Sequence, residues 1–297
     1  MKALILPLLI LISFQVSAAV KFASYNIRTF DTKNTPTDKK ELKKILKNLN
    51  ADFITVQEII NTKSFKSFIR KEFPRYRVVL SKCGGAGKQM IGFVYDSDKF
   101  GLFNVKEDNR ISNPKPRVGQ SMKCASLRPA LVGTFVERES NQMFTVLGLH
   151  LKAGGRPSSY AKRKIQYRIL RDMITELRTN GHKNVIVMGD LNTTGYLLAD
   201  EDYKNFTSML TSTRLKTISS ELSCTSYWSG LDVDDNIEES SVLDHILYQR
   251  LFLGYKRSKI NIYSHCERSL CANVSERELG LSYNKVSDHC PIAITME

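Results

Sequence analysis

A mixed α/β fold is what the sequence predicts, for three reasons. In the first half, short β-branched runs alternate with segments whose apolar residues recur at helical spacing. Elsewhere, strand-like runs come in pairs separated by turn residues. Polar residues also stand in or at the edge of these apolar runs: Asn26, Glu58, His150, Asp190 with Asn192, Asp244, and Asp288 with His289. Buried strands are normally apolar because an unpartnered polar group costs free energy there. So many exceptions ask for a shared reason.

Val20–Ile27 reads as the first strand. Asp38 with Glu41 three residues later marks a helix start, and Leu42, Ile45, Leu46 and Leu49 then share one face. Phe53–Val56 is a buried strand that runs into Gln57-Glu58. Phe65, Phe68 and Ile69 suit a short helix closed by Pro74. Tyr76–Leu80 and Met90–Tyr95 read as strands around the glycine-rich turn Cys83–Lys88. From 101 to 127 no period emerges. Lys106, Arg110, Lys115, Arg117 and Lys123 with Pro114 and Pro116 read there as a long loop, either a basic substrate-side excursion or a structureless surface segment.

Pro129–Val136 and Phe144–Leu151 are two more strands, the second ending at His150. A long helix follows from Tyr160 to Arg178, with Ile165, Ile169, Leu170, Met173, Ile174 and Leu177 as its apolar stripe. Lys162, Lys164, Arg168 and Arg171 give it a solvated face. After the strand at Val185 comes a mixed polar region to Glu239, then a strand at Leu243–Tyr248. A long basic excursion spans Leu251–Lys285, and Pro291–Met296 is the last strand.

The stretch Val185–Asn192 (VIVMGDLN) organises the rest. Four apolar residues are followed at once by a glycine, a carboxylate and a carboxamide. A buried strand holds short polar side chains rigidly at its open C-terminal end, and Gly189 lets another group approach the backbone. Asp190 and Asn192 share a face if the strand continues; the alternative is an Asx-turn at its end.

Met1-Lys2, the apolar run Ala3–Val16 and the small residues Val16-Ser17-Ala18 read as an export signal over 1–18, which leaves 19–297 as a single domain. The apolar run is shorter than the ~20 residues of a spanning helix. An extracellular or periplasmic monomer is expected, with no integral membrane association. Lys and Arg total 44 against 30 Asp and Glu, for a net charge of +14. That excess favours a polyanionic partner, nucleic acid before an anionic membrane surface. Six cysteines in an exported chain suggest disulfides, with Cys266 and Cys271 spaced to staple a local loop; their spacing fits no zinc finger or ribbon. Asp232-x-Asp234-x-Asn236 begins like a calcium loop, but Ile237 and Leu243 occupy its diagnostic positions, so it is an acidic surface loop.

Cleaving a phosphodiester at neutral pH needs a nucleophilic water, neutralisation of charge on the phosphoryl oxygens and stabilisation of the leaving alkoxide. Hard oxygen ligands such as Glu58 and Asp288 suit Mg²⁺, Mn²⁺ or Ca²⁺. A histidine beside a second carboxylate suits a general base, and Asp244 with His289 forms that pair. His150 is then placed to donate to the phosphate or to the leaving oxygen.

Ser24-Tyr25-Asn26-Ile27-Arg28-Thr29-Phe30, Val56-Gln57-Glu58-Ile59, Gly148-Leu149-His150, Met188-Gly189-Asp190-Leu191-Asn192, Leu243-Asp244-His245-Ile246 and Ser287-Asp288-His289-Cys290-Pro291 occur in this order. The set resembles the endonuclease/exonuclease/phosphatase superfamily, and in particular secreted deoxyribonuclease I-like nucleases. The resemblance implies a four-layer α-β-β-α sandwich, two packed mixed β-sheets with outer helices and the site at one rim. It implies that Glu58, with Asn26 and Asp288, holds a divalent metal, Mg²⁺ first, with Mn²⁺ as a substitute and Ca²⁺ as an accessory ion. His289, oriented by Asp244, activates water. Asp190 and Asn192 position the phosphate, His150 acts on the phosphate or leaving group, and Arg28 and Arg128 contact the substrate.

The chain also departs from the family pattern. Gln89 stands nearest to where some members back the first catalytic histidine with a glutamate, and a neutral amide cannot compensate an imidazolium. Ile60 replaces a groove-reading arginine, the Gly84–Gly87 region replaces a tyrosine, and Arg128 is one residue out of register with Pro129. The expected activity is metal-dependent hydrolysis of DNA, with RNA as a second polymer, through phosphate contacts of little sequence preference. The competing expectations are a sphingomyelinase-like phosphodiesterase, with Leu251–Lys285 facing a membrane, and a nucleic-acid-binding protein whose catalytic set is vestigial.

Overall fold

Two six-stranded sheets share one inner face, and strand alternation decides what meets there. The computed structural model describes residues 19–113, 124–230, 236–249, 255 and 257–297. The segment read as an export signal lies outside them, as do Lys115, Arg117, Lys123, Asp232, Asp234, Phe252 and Leu253.

The first sheet runs β13 (Ser258–Ile262), β15 (Ile292–Met296), β1 (Val20–Phe30), β2 (Phe53–Ile59), β4 (Met90–Asp96), β3 (Tyr76–Leu80). The second runs β5 (Phe100–Asp108), β6 (Ala130–Glu137), β7 (Gln142–His150), β8 (Val185–Asp190), β12 (Asp244–Tyr248), β9 (Lys216–Thr217). Each sheet is mixed: β1 with β2 and β7 with β8 are parallel, the other pairs antiparallel. A small third sheet joins β10 (Ser226–Trp228), β11 (Ile237–Ser241) and β14 (Val274–Ser275).

Phe22, Phe53, Phe93, Phe100, Phe135 and Phe144 meet between the sheets with Ile186, Met188 and Ile246. The Phe53 and Phe135 rings cross edge to face at 4.9 Å between centroids, a geometry that adds about 0.5–1.5 kcal/mol per pair beyond area burial. Helices α1 (Lys39–Leu49) and α2 (Thr62–Glu72) cover the outer face of the first sheet through Leu42, Ile45, Leu46, Leu49, Phe65, Phe68 and Ile69. Helices α3 (Pro157–Thr179) and α4 (Glu201–Thr213) cover the second through Tyr167, Leu170, Met173, Ile174, Phe206 and Met209. The four layers are those the resemblance implied. Asp38 caps α1 as its spacing predicted, accepting from the N–H groups of Lys40 and Glu41.

Four expectations need correction. The stretch after 100 is not a loop throughout: Phe100–Asp108 is strand β5 along β6, and Asn109–Ser112 forms a 3-10 turn. Alternating polar residues hide that strand, which lies at the sheet edge. The polar region before Glu239 contains α4, whose buried face includes Asp202 and Thr213 as well as Phe206 and Met209. The basic excursion carries β13, α5 (Ser264–Arg268), β14 and α6 (Glu276–Lys285), and Tyr255 is buried in the inter-sheet core rather than offered to a membrane. Cys266 and Cys271 do not pair with each other. Helix α5 turns Cys266 inward to Cys290, and Cys271, past the helix end, joins Cys224; the third bridge is Cys83–Cys124.

Candidate active site at the rim between the sheets

Alternation carries the polar residues to one place. Along β1, Phe22 faces the inter-sheet core while Ala23, Tyr25 and Ile27 face the helices, so Asn26 ends the inner row. By the same parity His150 follows Phe144 and Val146, Asp190 follows Ile186 and Met188, and Asp244 precedes Ile246. Register then aligns them, because His150 pairs with Asp190 across β7–β8 and Asp190 with Asp244 across β8–β12. His245 takes the opposite face, packed on Phe206 and Tyr196.

Glu58 breaks the rule. Ile54 and Val56 face the helices, so strict alternation would send Glu58 there too. Instead the register shifts between Val56 and Ile59, and Glu58 adopts φ 63°. This left-handed backbone costs on the order of 1–3 kcal/mol, and the carboxylate ends at the rim. Oε1 accepts from Asn26 Nδ2 at 3.2 Å and Oε2 from the Thr29 N–H at 2.9 Å. Gly189 is required on similar grounds: at φ 151° a Cβ would sit 2.0 Å from the Leu149 carbonyl oxygen.

His289 Nδ1 lies 2.7 Å from Asp244 Oδ2, and its Nε2 lies 3.7 Å from Asp190 Oδ2. Asn26 Nδ2 donates to Asp190 Oδ2 at 3.0 Å, which links that carboxylate to Glu58. His150 Nε2 stands 3.4 Å from Asp190 Oδ2 and 3.7 Å from Glu58 Oε1. Glu58 and His289 therefore share one rim.

The two histidines differ in charge. Burial would depress His289, but Asp244 and Asp190 outweigh it and hold the imidazolium well above the ordinary value. Burial, Arg128 and His289 push His150 well below it, so this ring is neutral. His150 Nδ1 is buried and has no hydrogen-bond partner among the described residues. Gln89 does not back it, and the proton belongs on Nε2, toward the carboxylates. Burial raises Asp190 to about 7, with Asp244 and Glu58 adding to the shift and His289 and Asn26 opposing it.

These features fit a hard divalent cation. Among the described residues the rim offers the carboxylate oxygens of Glu58, Asp190 and Asp244 and no thiolate, the oxygen-rich set such ions prefer. Asp244 Oδ1 is buried without a partner among the described residues, and Asp190, Asp244 and His289 bring ligand atoms within 4.8 Å of one another. A positive charge beside Glu58 and Asp190 would relieve their mutual repulsion.

The other predicted residues take more varied positions. The strand ends at Asp190, and Asn192 is left-handed (φ 53°), its N–H donating to Asp190 Oδ1 at 2.9 Å. The Asx-turn forms, and Asn192 is not on a continued strand face. Arg128 is buried; its Nε donates to the His150 carbonyl at 3.1 Å and its Nη2 to that of Leu151. Arg28 spans the Tyr283 carbonyl and Asp288, whose Oδ1 is 3.9 Å from Arg28 Nε. No described contact joins Asp288 to Glu58.

Sequence reasoning missed the supports. Ser287 Oγ donates to the Asn26 carbonyl at 2.7 Å and accepts the His289 N–H at 3.1 Å. Thr225 Oγ1 accepts the Asp244 N–H at 3.0 Å. Arg163, fully buried among the exposed cations of α3, grips Asp202 through Nε and Nη2 and reaches the carbonyls of Lys152 and Gly154 and the Thr194 hydroxyl. It ties the loop after His150 to the loop after Asn192. Its spacing is a readable signal: Arg163 stands four residues before Tyr167 and seven before Leu170, on the buried stripe of α3, whereas Lys164, Arg168 and Arg171 lie off it.

The fold recurs among solved structures. The Danio rerio TDP2 complex with a single-strand DNA product superposes with a TM-score of 0.65 at 15% identity, covering 94% of this chain and 99% of that one. The human Nocturnin catalytic domain with bound sulfate gives 0.62 at 17%, covering 94% of each chain. A Bacteroides thetaiotaomicron mannosyl-6-phosphatase gives 0.61 at 17%, covering 94% and 99%. No curated protein matches the sequence. The model of the Endonuclease/Exonuclease/phosphatase family matches residues 23–289, a span that holds every rim residue described above, and the chain belongs to that family.

Proposed function

We propose that this chain is an exported, divalent-metal-dependent phosphodiesterase that hydrolyses DNA with little sequence preference, cutting within strands, with RNA as a secondary substrate. The observation that carries it is the His289–Asp244 contact at 2.7 Å, facing Asp190 beside Glu58. In its neutral form, reached as pH rises through its raised value, His289 accepts the proton of the attacking water at Nε2 while Asp244 keeps the ring oriented and stabilises the imidazolium that forms. Asn192 and Arg128 steady the phosphate. His150 donates a hydrogen bond from neutral Nε2 rather than a full proton, since no acid backs Nδ1. Glu58 and Asp190, tied together by the Asn26 Nδ2 donor, would hold the cation, Mg²⁺ first, which supplies charge neutralisation at the phosphoryl oxygens.

A net charge of +14 supports a polyanionic substrate. Three disulfides support export, and among the described residues no helix is long and apolar enough to cross a membrane. The test is incubation of closed circular DNA, linear duplex, single strands and RNA with the purified chain and Mg²⁺. Nicking of the circle is expected, abolished by a chelator and by His289→Ala. An intact circle, or full activity in either control, sinks the proposal.

A further inference from the structure

Away from the rim, α3 and α4 enclose a groove of about 200 Å³ with an unusual lining. Lys164, Arg168 and Arg171 stand along one face of α3, with Asn205, Ser208 and Ser212 of α4 opposite. At 1.5 Å per residue the cations follow one another by about 6 and 4.5 Å along the axis. Asn205 Nδ2 is buried and meets no acceptor among the described residues, and a buried donor left so is destabilising until something supplies an acceptor. Lys164 lies 3.7 Å from Glu201 and Arg171 2.8 Å from Asp172, both exposed pairs. Exposed pairs of this kind contribute little and give way to a stronger anion. Arg168 has no carboxylate within ion-pair distance among the described residues. Cations, hydroxyls and an unsatisfied amide donor make a lining for phosphate oxygens.

We propose that this groove is a second anion subsite, which holds backbone phosphates of a nucleic-acid strand outside the catalytic rim. The identity of the polyanion rests on the nuclease reading above. Helix α3 begins seven residues after His150, with Lys164 about 10 Å along it. A strand leaving the rim past the His150 loop therefore meets Lys164 first and Arg171 last. An anionic membrane is disfavoured because a surface-lying helix needs apolar side chains to insert, and none of the exposed large apolar residues lies on α3 or α4.

The experiment compares the wild-type chain with Lys164→Ala/Arg168→Ala/Arg171→Ala, alanine being the best helix former. Fluorescence anisotropy with a labelled thirty-nucleotide single strand in chelator reads binding without turnover, and bis(p-nitrophenyl) phosphate with Mg²⁺ reads the rim alone. The triple variant should bind the strand about tenfold more weakly at moderate salt. Its slope of log K against log salt should be shallower by about 2, from about 0.7 per lost contact on single strands. Hydrolysis of the small ester should stay within twofold. Equal affinity and equal slope overturn the subsite. So does loss of binding to phosphatidylserine vesicles without any loss on DNA, which would make the patch a lipid contact. If the wild-type chain binds the strand in this salt-dependent way yet never cuts DNA with any divalent metal, the nuclease reading falls and the subsite stands.

Discussion

Asp244→Asn removes one charge and leaves the shape. The Asp244 Oδ2–His289 Nδ1 contact is 2.7 Å between buried groups. At an effective dielectric of about 20, opposite charges at that distance attract by about 6 kcal/mol, so the carboxylate is the main reason His289 is held above its ordinary value despite burial. With an amide in its place the ring loses the partner that fixes its tautomer and stabilises the imidazolium formed on taking a proton. In histidine–aspartate pairs this loss costs on the order of 10⁴ in turnover, about 5.5 kcal/mol of transition-state stabilisation. The assay is kcat/KM on an oligonucleotide against pH at saturating Mg²⁺. A base must be unprotonated to act, so wild-type activity climbs with pH through a limb above the ordinary histidine value. In the variant the plateau should fall by 10³–10⁴ and the limb should move to lower pH, because burial then dominates. Stability should fall at pH values where the wild-type His289 is charged, because the imidazolium loses the opposite charge at 2.7 Å, and should change little above that range, where the ring is neutral. Activity within tenfold of wild type, or a limb that stays put or moves up, refutes the base assignment.

Arg163→Met should cost about 3–5 kcal/mol in urea unfolding by stranding Asp202 in the core. Arg163→Met/Asp202→Leu should recover most of that stability while kcat stays depressed, because the bonds to Lys152, Gly154 and Thr194 are still missing. Cys266→Ser/Cys290→Ser opens a bridge of sequence separation 24 and should lower stability by about 3 kcal/mol; an unchanged denaturation midpoint would contradict that. Burial lowers His245 and His265 to about 3 in the folded state. Each therefore supports the fold fully above the unfolded value of about 6.5, and that support is lost as pH falls toward 3, at about 1.4 kcal/mol per unit per histidine. Titration of the His245 ring by NMR above pH 5 would contradict the burial argument.

The layers were legible because continuous apolar runs close on polar residues, which put Asn26, His150, Asp190 and Asp244 in or at the edge of strands; runs apolar on both faces do not say which face is inner, and that came from packing. The aim of Glu58 was not legible either, since it depends on a left-handed residue and a register shift that no side-chain pattern encodes. Helix α4 escaped because tertiary partners, Arg163 above all, let Asp202 sit on its buried face. The cysteine pairing escaped because sequence spacing carries no direction: α5 rotates Cys266 away from Cys271. The departure at Gln89 was readable and matters, since the Nδ1 of His150 is left without an acid.

The alignment of His150, Asp190 and Asp244 on three neighbouring strands makes the chemistry hostage to chain length. Deleting any one residue of Val185–Met188 would bring Gly189 or Leu191 to the inner face in place of Asp190, and every bond to it would go at once. A deletion of the same size in the turn at 195–199 leaves that alignment untouched. Insertions and deletions, more than substitutions, are therefore the changes this centre should tolerate least in its strands and most in its turns.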